Sequence, residues 1–122
     1  REGMVNEFQK LGEQGERLAE QYLRANGYQI VQTNFRTRFG EIDLVAQKGG
    51  ELVFVEVKTR CSQKFGGPLE GIDQIKLRRI IKVALTYVRE YNLSGPFRID
   101  VIGITWNARD GPEIEHLKNV SL

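Results

Sequence analysis

The spacing of apolar positions changes several times along this chain, and each change marks an element. Across residues 12–26, Leu11, Gly15, Leu18, Ala19, Tyr22 and Ala25 fall on one stripe at helical spacing, and Gly27 supplies a natural stop. Residues 28–35 read as a strand. Two β-branched runs then flank Gly49-Gly50, the signal of a two-residue hairpin loop. The connection Thr37-Arg38-Phe39-Gly40 is expected to be mobile, and residues 61–70, which contain Gly66-Gly67-Pro68, to be irregular. A second helix is expected over 73–91, with Leu77, Ile80, Ala84, Tyr87, Val88 and Tyr91 on its apolar side and Arg78, Arg79 and Lys82 opposite. Strands over 98–105 and 114–120 complete the order helix, three strands, helix, two strands.

The hairpin carries the chemistry. Pairing Lys48 with Glu51 places Glu56 across from Asp43 and Lys58 across from Glu41. Side chains alternate along a strand, so these four share one face, while Ile42, Leu44, Ala46, Val53, Val55 and Val57 share the other. Like charges held directly opposite each other destabilise a sheet, so Asp43 and Glu56 need a shared proton or a bound cation. A hard divalent metal takes oxygen ligands, often one or two carboxylates plus phosphate oxygens. Lys58, beside Glu56, is placed to offset charge or hold a water or a phosphate. An ordinary solvated ion pair is the plainer alternative. Against it, Val45, Leu52 and Phe54 continue the same face and imply that it is covered.

Size and composition narrow the alternatives. The 122 residues are read as an N-terminal tail over 1–10 and one domain over 11–122. A single cysteine, Cys61, excludes an internal disulfide and fits a cytoplasmic location; it is read as packing filler. A single histidine, His116, argues against Cys/His zinc sites and Ser–His hydrolases, and is read as a solvated strand residue. No apolar run is long enough to cross a bilayer. The net charge of +2 says little, but between Arg36 and Lys82 ten Lys/Arg stand against six Asp/Glu. Three of those six belong to the acidic cluster, so a bound cation would leave a surface that attracts phosphate. Glu16 lies at the border of the first helical stripe, from which it can reach toward the sheet.

Asp43, then twelve intervening residues, then Glu56-Val57-Lys58 resembles the Asp…Glu-x-Lys signature of the PD-(D/E)xK superfamily of restriction-endonuclease-like nucleases. The surrounding text is more specific: Gly12-x-x-Gly15-Glu16-x-x-Ala19, Gly27-Tyr28, Asn34-x-Arg36, Gly40-Glu41-Ile42-Asp43-Leu44, Val53-Phe54-Val55-Glu56-Val57-Lys58-x-Arg60 and Arg98-x-Asp100-Val101. It resembles the small bacterial YraN family, itself similar to archaeal Holliday-junction resolvases. The resemblance implies an α/β fold with a restriction-endonuclease-like core: a mixed central sheet flanked by helices in αβββαβ order, with an additional C-terminal strand. It implies Asp43 and Glu56 as metal ligands, Glu16 as the helix acid completing the site, and Lys58 as the catalytic lysine. Ile42 stands where the superfamily usually has proline.

These readings lead to a metal-dependent nuclease using Mg²⁺, or Mn²⁺, on DNA rather than RNA, and on branched or structured DNA in particular. Arg36, Arg38, Arg60, Lys76, Arg78 and Arg79 are candidates for backbone contacts, which hold nucleic acid without reading its sequence. A homodimer would suit a symmetric junction. No recognition helix or aromatic stacking platform stands out in the sequence. A non-catalytic nucleic-acid-binding module with the same fold is the alternative, and an assembly protein that binds no nucleic acid is a third.

Overall fold

A computed structural model of the protein describes residues 2–61, 74–107 and 109–120. Helix α1 spans Glu2–Ala25, strand β1 Gln29–Thr37, β2 Gly40–Lys48, β3 Glu51–Arg60, helix α2 Gln74–Glu90, β4 Phe97–Asn107 and β5 Gly111–Leu117. The strands form one mixed sheet in the order β1-β2-β3-β4-β5. Only the β3–β4 pair is parallel, and α2 lies in the connection between those strands. The architecture is the expected α/β one: a mixed sheet flanked by helices in αβββαβ order, with an additional C-terminal strand. Most of the expected 61–70 loop lies outside the described residues; Cys61 itself is exposed and so does not fill the core.

Each helix covers one face of the sheet. On one side α1 packs Ala19 and Leu23 against Leu44, Ala46, Val53, Val55, Ile102 and Ile104. On the other, α2 packs Leu77, Ile80, Val83, Ala84 and Tyr87 against Phe35, Ile42, Val45, Phe54 and Ile99. Strand β4 is buried on both faces, which is why Ile99, Val101, Ile102 and Ile104 read as a nearly continuous apolar run. Gly15 lets α1 approach β3 closely: a Cβ there would collide with the hydroxyl of Thr59. Both helices end in the same backbone device. Tyr28 N–H reaches Leu23 O behind left-handed Gly27 (φ 88°), and Leu93 N–H reaches Val88 O behind left-handed Asn92 (φ 52°).

Several expectations need correction. Helix α1 begins at Glu2 rather than near Gly12, because the preceding residues contain no proline and Met4, Phe8 and Leu11 extend the helical spacing. The expected mobile connection is a tight turn: Phe39 N–H bonds the Thr37 hydroxyl at 3.0 Å, and Thr37 pairs with Gly40. The last strand ends at Leu117; Val120 instead donates its N–H to Ile99 O at 2.8 Å.

Ile42 also packs on the α2 side with Val45, not on the α1 side with Leu44 as strict alternation required. The alternation slips between the Thr33–Leu44 and Phe35–Ile42 pairs, beside Asn34, whose φ is +53°. Asp43 sits at that slip.

Candidate active site

The hairpin register is the expected one as far as it runs. Gly49 and Gly50, both with positive φ, close a two-residue turn, and pairing continues from Lys48–Glu51 to Leu44–Val55. There the ladder stops. The expected pairs Asp43–Glu56 and Glu41–Lys58 are not made; instead the Asp43 carboxylate accepts the Val57 N–H at 2.7 Å. The side chain thus takes the place of a backbone acceptor, and its own strand is freed to bend.

Asp43 and Glu56 still meet. Both line a cleft of about 710 Å³ whose walls also include Phe39, Glu41, Ile75, Lys76, Arg79, Ile80 and Val83. Strand β3 keeps strict alternation through its regular pairing with β4, so Glu56 and Lys58 lie on the face of Phe54, toward α2. Ile80, read from the sequence only as part of the helix's apolar side, and Val83 add apolar surface to the cleft. Lys76 closes one wall, with its Nζ 2.9 Å from Glu56 Oε2.

The electrostatics follow from crowding. Burial, then the Glu56 charge, pushes Asp43 up to about 8; the Val57 N–H opposes that rise, while Glu16 and Glu41 add to it. Glu16, on α1, is raised chiefly by partial burial and then by Glu41, Glu13 and Glu56. Its charge therefore reaches the cleft acids, although Glu16 does not line the cleft. Among the described residues no group of three His, Cys, Asp or Glu side chains is arranged to hold a metal. Asp43 and Glu56 line the cleft together, and Glu16, the third expected acid, acts on Asp43 through its charge.

The basic candidates divide. Lys76 and Arg79 face the cleft, whereas Arg78 is exposed on the helix without lining it. Arg36 is held by Glu41 at 3.3 Å, and Arg38 lies over the Phe39 ring, 4.9 Å from its centroid. Arg60 is half-buried at the end of β3.

A second polar cluster occupies the opposite face. Asp100 is fully buried and receives Arg98 Nε at 2.9 Å, Asn119 N–H at 3.0 Å and His116 Nε2 at 2.7 Å. Arg98 also donates to Glu51 and to the Tyr28 hydroxyl. The Tyr22 hydroxyl lies 3.0 Å from His116 Nδ1. An ionised Asp100 can only accept, which places a proton on Nε2; in the neutral imidazole Nδ1 then accepts from the Tyr22 hydroxyl. Burial is the largest influence on Asp100 and would raise it, but the bonds from His116, Arg98 and Asn119 together hold it below its ordinary value. His116 is therefore not a solvated strand residue: its side chain is only 5% exposed. Sequence patterning missed it because a lone histidine on an edge strand carries no sign of its partner, here the strand opposite at Ile102 and the helix beyond.

Comparison with known proteins agrees with the motifs. The model of "Uncharacterised protein family UPF0102" matches residues 15–104. The UPF0102 protein of Geotalea uraniireducens (strain Rf4) is 44% identical over 110 residues, covering 89% of this chain and 87% of its own. That of Thermodesulfovibrio yellowstonii is 43% identical over 110 residues, covering 90% and 94%. That of Geobacter metallireducens is 46% identical over 110 residues, covering 89% of each. Among solved structures, Pyrococcus furiosus SfsA in complex with Ca²⁺ superposes with a TM-score of 0.45 at 14% identity; the match covers 94% of this chain and 65% of that one. The extent and identity of the sequence matches place the chain in UPF0102, the YraN family.

Proposed function

We propose that this protein is a metal-dependent nuclease that hydrolyses phosphodiester bonds in DNA, acting on structured or branched forms. The observation that carries the reading is the pair Asp43 and Glu56, brought together in an open cleft with Lys76 and Arg79 on its wall. The donor set suits a hard divalent cation such as Mg²⁺ or Mn²⁺: two half-buried carboxylates, with the Glu56 charge raising the cost of ionising Asp43. The 2.9 Å contact of the Lys76 ammonium with Glu56 is consistent with a site that accepts positive charge. When bound, such a cation supplies a Lewis acid that polarises phosphate and makes water a better nucleophile.

The chain's own residues do the rest. Asp43 and Glu56 hold the cation, and Glu16 adds negative charge from behind. Lys58, on the same strand face as Glu56, orients the attacking water or stabilises charge developing on the phosphate oxygens. Arg79 and Lys76 hold the backbone on one side, with Arg36, Arg38, Arg60 and Arg78 as outlying contacts. Such contacts grip phosphate without reading sequence.

The test is incubation of the purified protein with labelled single-stranded, duplex, flap and junction DNA, and matching RNA, in Mg²⁺ or Mn²⁺. Lys58→Ala should lower cleavage by about a hundredfold or more while leaving the fold intact. Asp43→Asn should lose Mn²⁺ binding by calorimetry; equal binding by native and variant protein would sink the metal assignment. One observation favours a second reading: Lys76 already neutralises Glu56. If native protein binds nucleic acid with salt-dependent affinity yet cleaves nothing, a non-catalytic binding module is the better description.

A further inference from the structure

The turn between β1 and β2 places an aromatic ring at the mouth of the cleft. Phe39 lines the same cleft as Asp43 and Glu56 and is 37% exposed. It belongs to neither core cluster. Its companions are cations: the Arg38 guanidinium stands 4.9 Å from the ring centroid and the Lys82 ammonium 5.6 Å from it. Exposing a phenyl ring at a hairpin tip gains nothing for the fold, and here the tip is fixed rather than loose. Thr37 accepts the Phe39 N–H and donates its hydroxyl to Gly40 O at 3.3 Å, while Gly40 takes a φ of +138° that few other residues adopt. The turn therefore presents the ring in a set place, beside the strand that carries Asp43 four residues on.

We infer that Phe39 is a base-stacking platform and that the cleft takes nucleic acid with an unpaired base next to the reacting phosphate. This inference rests on the nuclease reading above and adds the substrate class to it. A phenyl face stacks on any nucleobase, without sequence preference; an incoming base displaces the Arg38 and Lys82 cations that lie over the ring, and these then meet the flanking phosphates. Within a duplex every base is already stacked on its neighbours, so the ring gains a partner only where a base is free: in a single strand, a flap or the arm of a branch. Sequence alone gave no such signal, because Phe39 reads there as one more apolar residue beside a glycine. Its position over the cleft emerges only when β2 and α2 come together, which also brings Lys82 from the helix to the ring.

The experiment is a set of binding titrations by fluorescence anisotropy in EDTA, where no metal-dependent cleavage intrudes. The probes are a labelled oligothymidine, the same backbone with abasic positions, and a duplex. Phe39→Ala should weaken binding of the oligothymidine by about tenfold or more. It should leave the abasic strand and the duplex within about twofold of native. Phe39→Leu, which keeps the bulk but not the π face, should behave like Phe39→Ala, and Phe39→Trp should bind at least as tightly as native. Equal losses on all three probes, or no loss on any, would overturn stacking while leaving the nuclease reading in place. If native protein binds none of the probes and cleaves nothing in Mg²⁺ or Mn²⁺, both fall together.

Discussion

Asp43 and Asp100 lie on opposite faces of one sheet, the first half-buried and the second fully buried, and differ in what surrounds them. Asp100 has a donor for each lone pair it can use: a guanidinium, an imidazole and a backbone N–H. Its carboxyl is held below its ordinary value. Asp43 receives one backbone N–H and otherwise faces Glu56, Glu41 and Glu16, and is pushed up to about 8. Protein interiors tolerate a buried charge when it is paired and hydrogen-bonded. By that measure Asp100 is fully partnered, whereas Asp43, among the described residues, is not. The two carboxylates show that burial alone does not set an acid's charge state; the supply of donors does.

The largest effect that could break this contrast is on the satisfied side. Asp100→Ala leaves Arg98 and His116 without their shared acceptor and should cost about 3–5 kcal/mol of stability, read from urea denaturation. Because the folded Asp100 carboxyl lies below its unfolded value near 3.8, its contribution is present above that pH and fades as pH falls through the lowered folded value. The gap between native and variant should therefore close in acid. A loss under about 1 kcal/mol at neutral pH would mean the network is ornamental to the fold.

Asp43→Asn should act in the opposite direction. A folded value near 8 against an unfolded 3.8 means the native state binds the extra proton, so stability falls as pH rises between those values. Removing the charge should stabilise the metal-free protein by several kcal/mol at pH 8, up to roughly 5 kcal/mol if the whole shift is recovered. The Asn side-chain oxygen can still accept the Val57 N–H. The gain should shrink toward pH 4, and saturating Mg²⁺ should raise the native protein's melting temperature but not the variant's. A destabilised Asp43→Asn at pH 8 would show that the carboxylate serves the fold after all.

Lys76→Ala is the smallest and sharpens the same point. The Lys76–Glu56 bridge is 44% exposed on the lysine side, so its loss should cost less than about 1 kcal/mol and less still in high salt. With the competing ammonium gone, Mn²⁺ should bind the cleft more tightly by calorimetry. Weaker Mn²⁺ binding would instead make Lys76 a partner of the metal site rather than a rival.

Much of this architecture was legible in the chain. Gly49-Gly50 specified the hairpin because left-handed backbone is cheap for glycine, and the β-branched runs beside it could only be strands. The near-unbroken apolar run of β4 follows from burial on both faces. The pairing of Asp43 with Glu56 across one cleft came from the alternation of side chains, although the ladder that was meant to deliver it stops one pair short. What remained hidden depended on contacts between distant segments. Nothing in the sequence near His116 points to Tyr22 or Asp100. The slip that moves Ile42 to the α2 side lies beside Asn34, whose left-handed backbone no hydrophobic pattern records. Glu16 was placed near the acids by helical geometry, but the same geometry could not say that it stops short of lining the cleft.

The parallel joint between β3 and β4 bears on the order in which the cleft is assembled. Lys48 meets Glu51 across a two-residue turn, so the hairpin that carries both acids closes at little entropic cost. Leu52 pairs with Phe97 only after the chain has run through the whole of α2 and returned. Contacts of such separation form slowly. The chain thus gathers its negative charges first, and the helix that brings Lys76, Arg79 and the apolar surface of the cleft docks afterwards. Pulse-labelled hydrogen exchange during refolding should accordingly protect Val53 and Val55 before Ile99 and Val101; the reverse order would place the crossover, not the hairpin, at the start of folding.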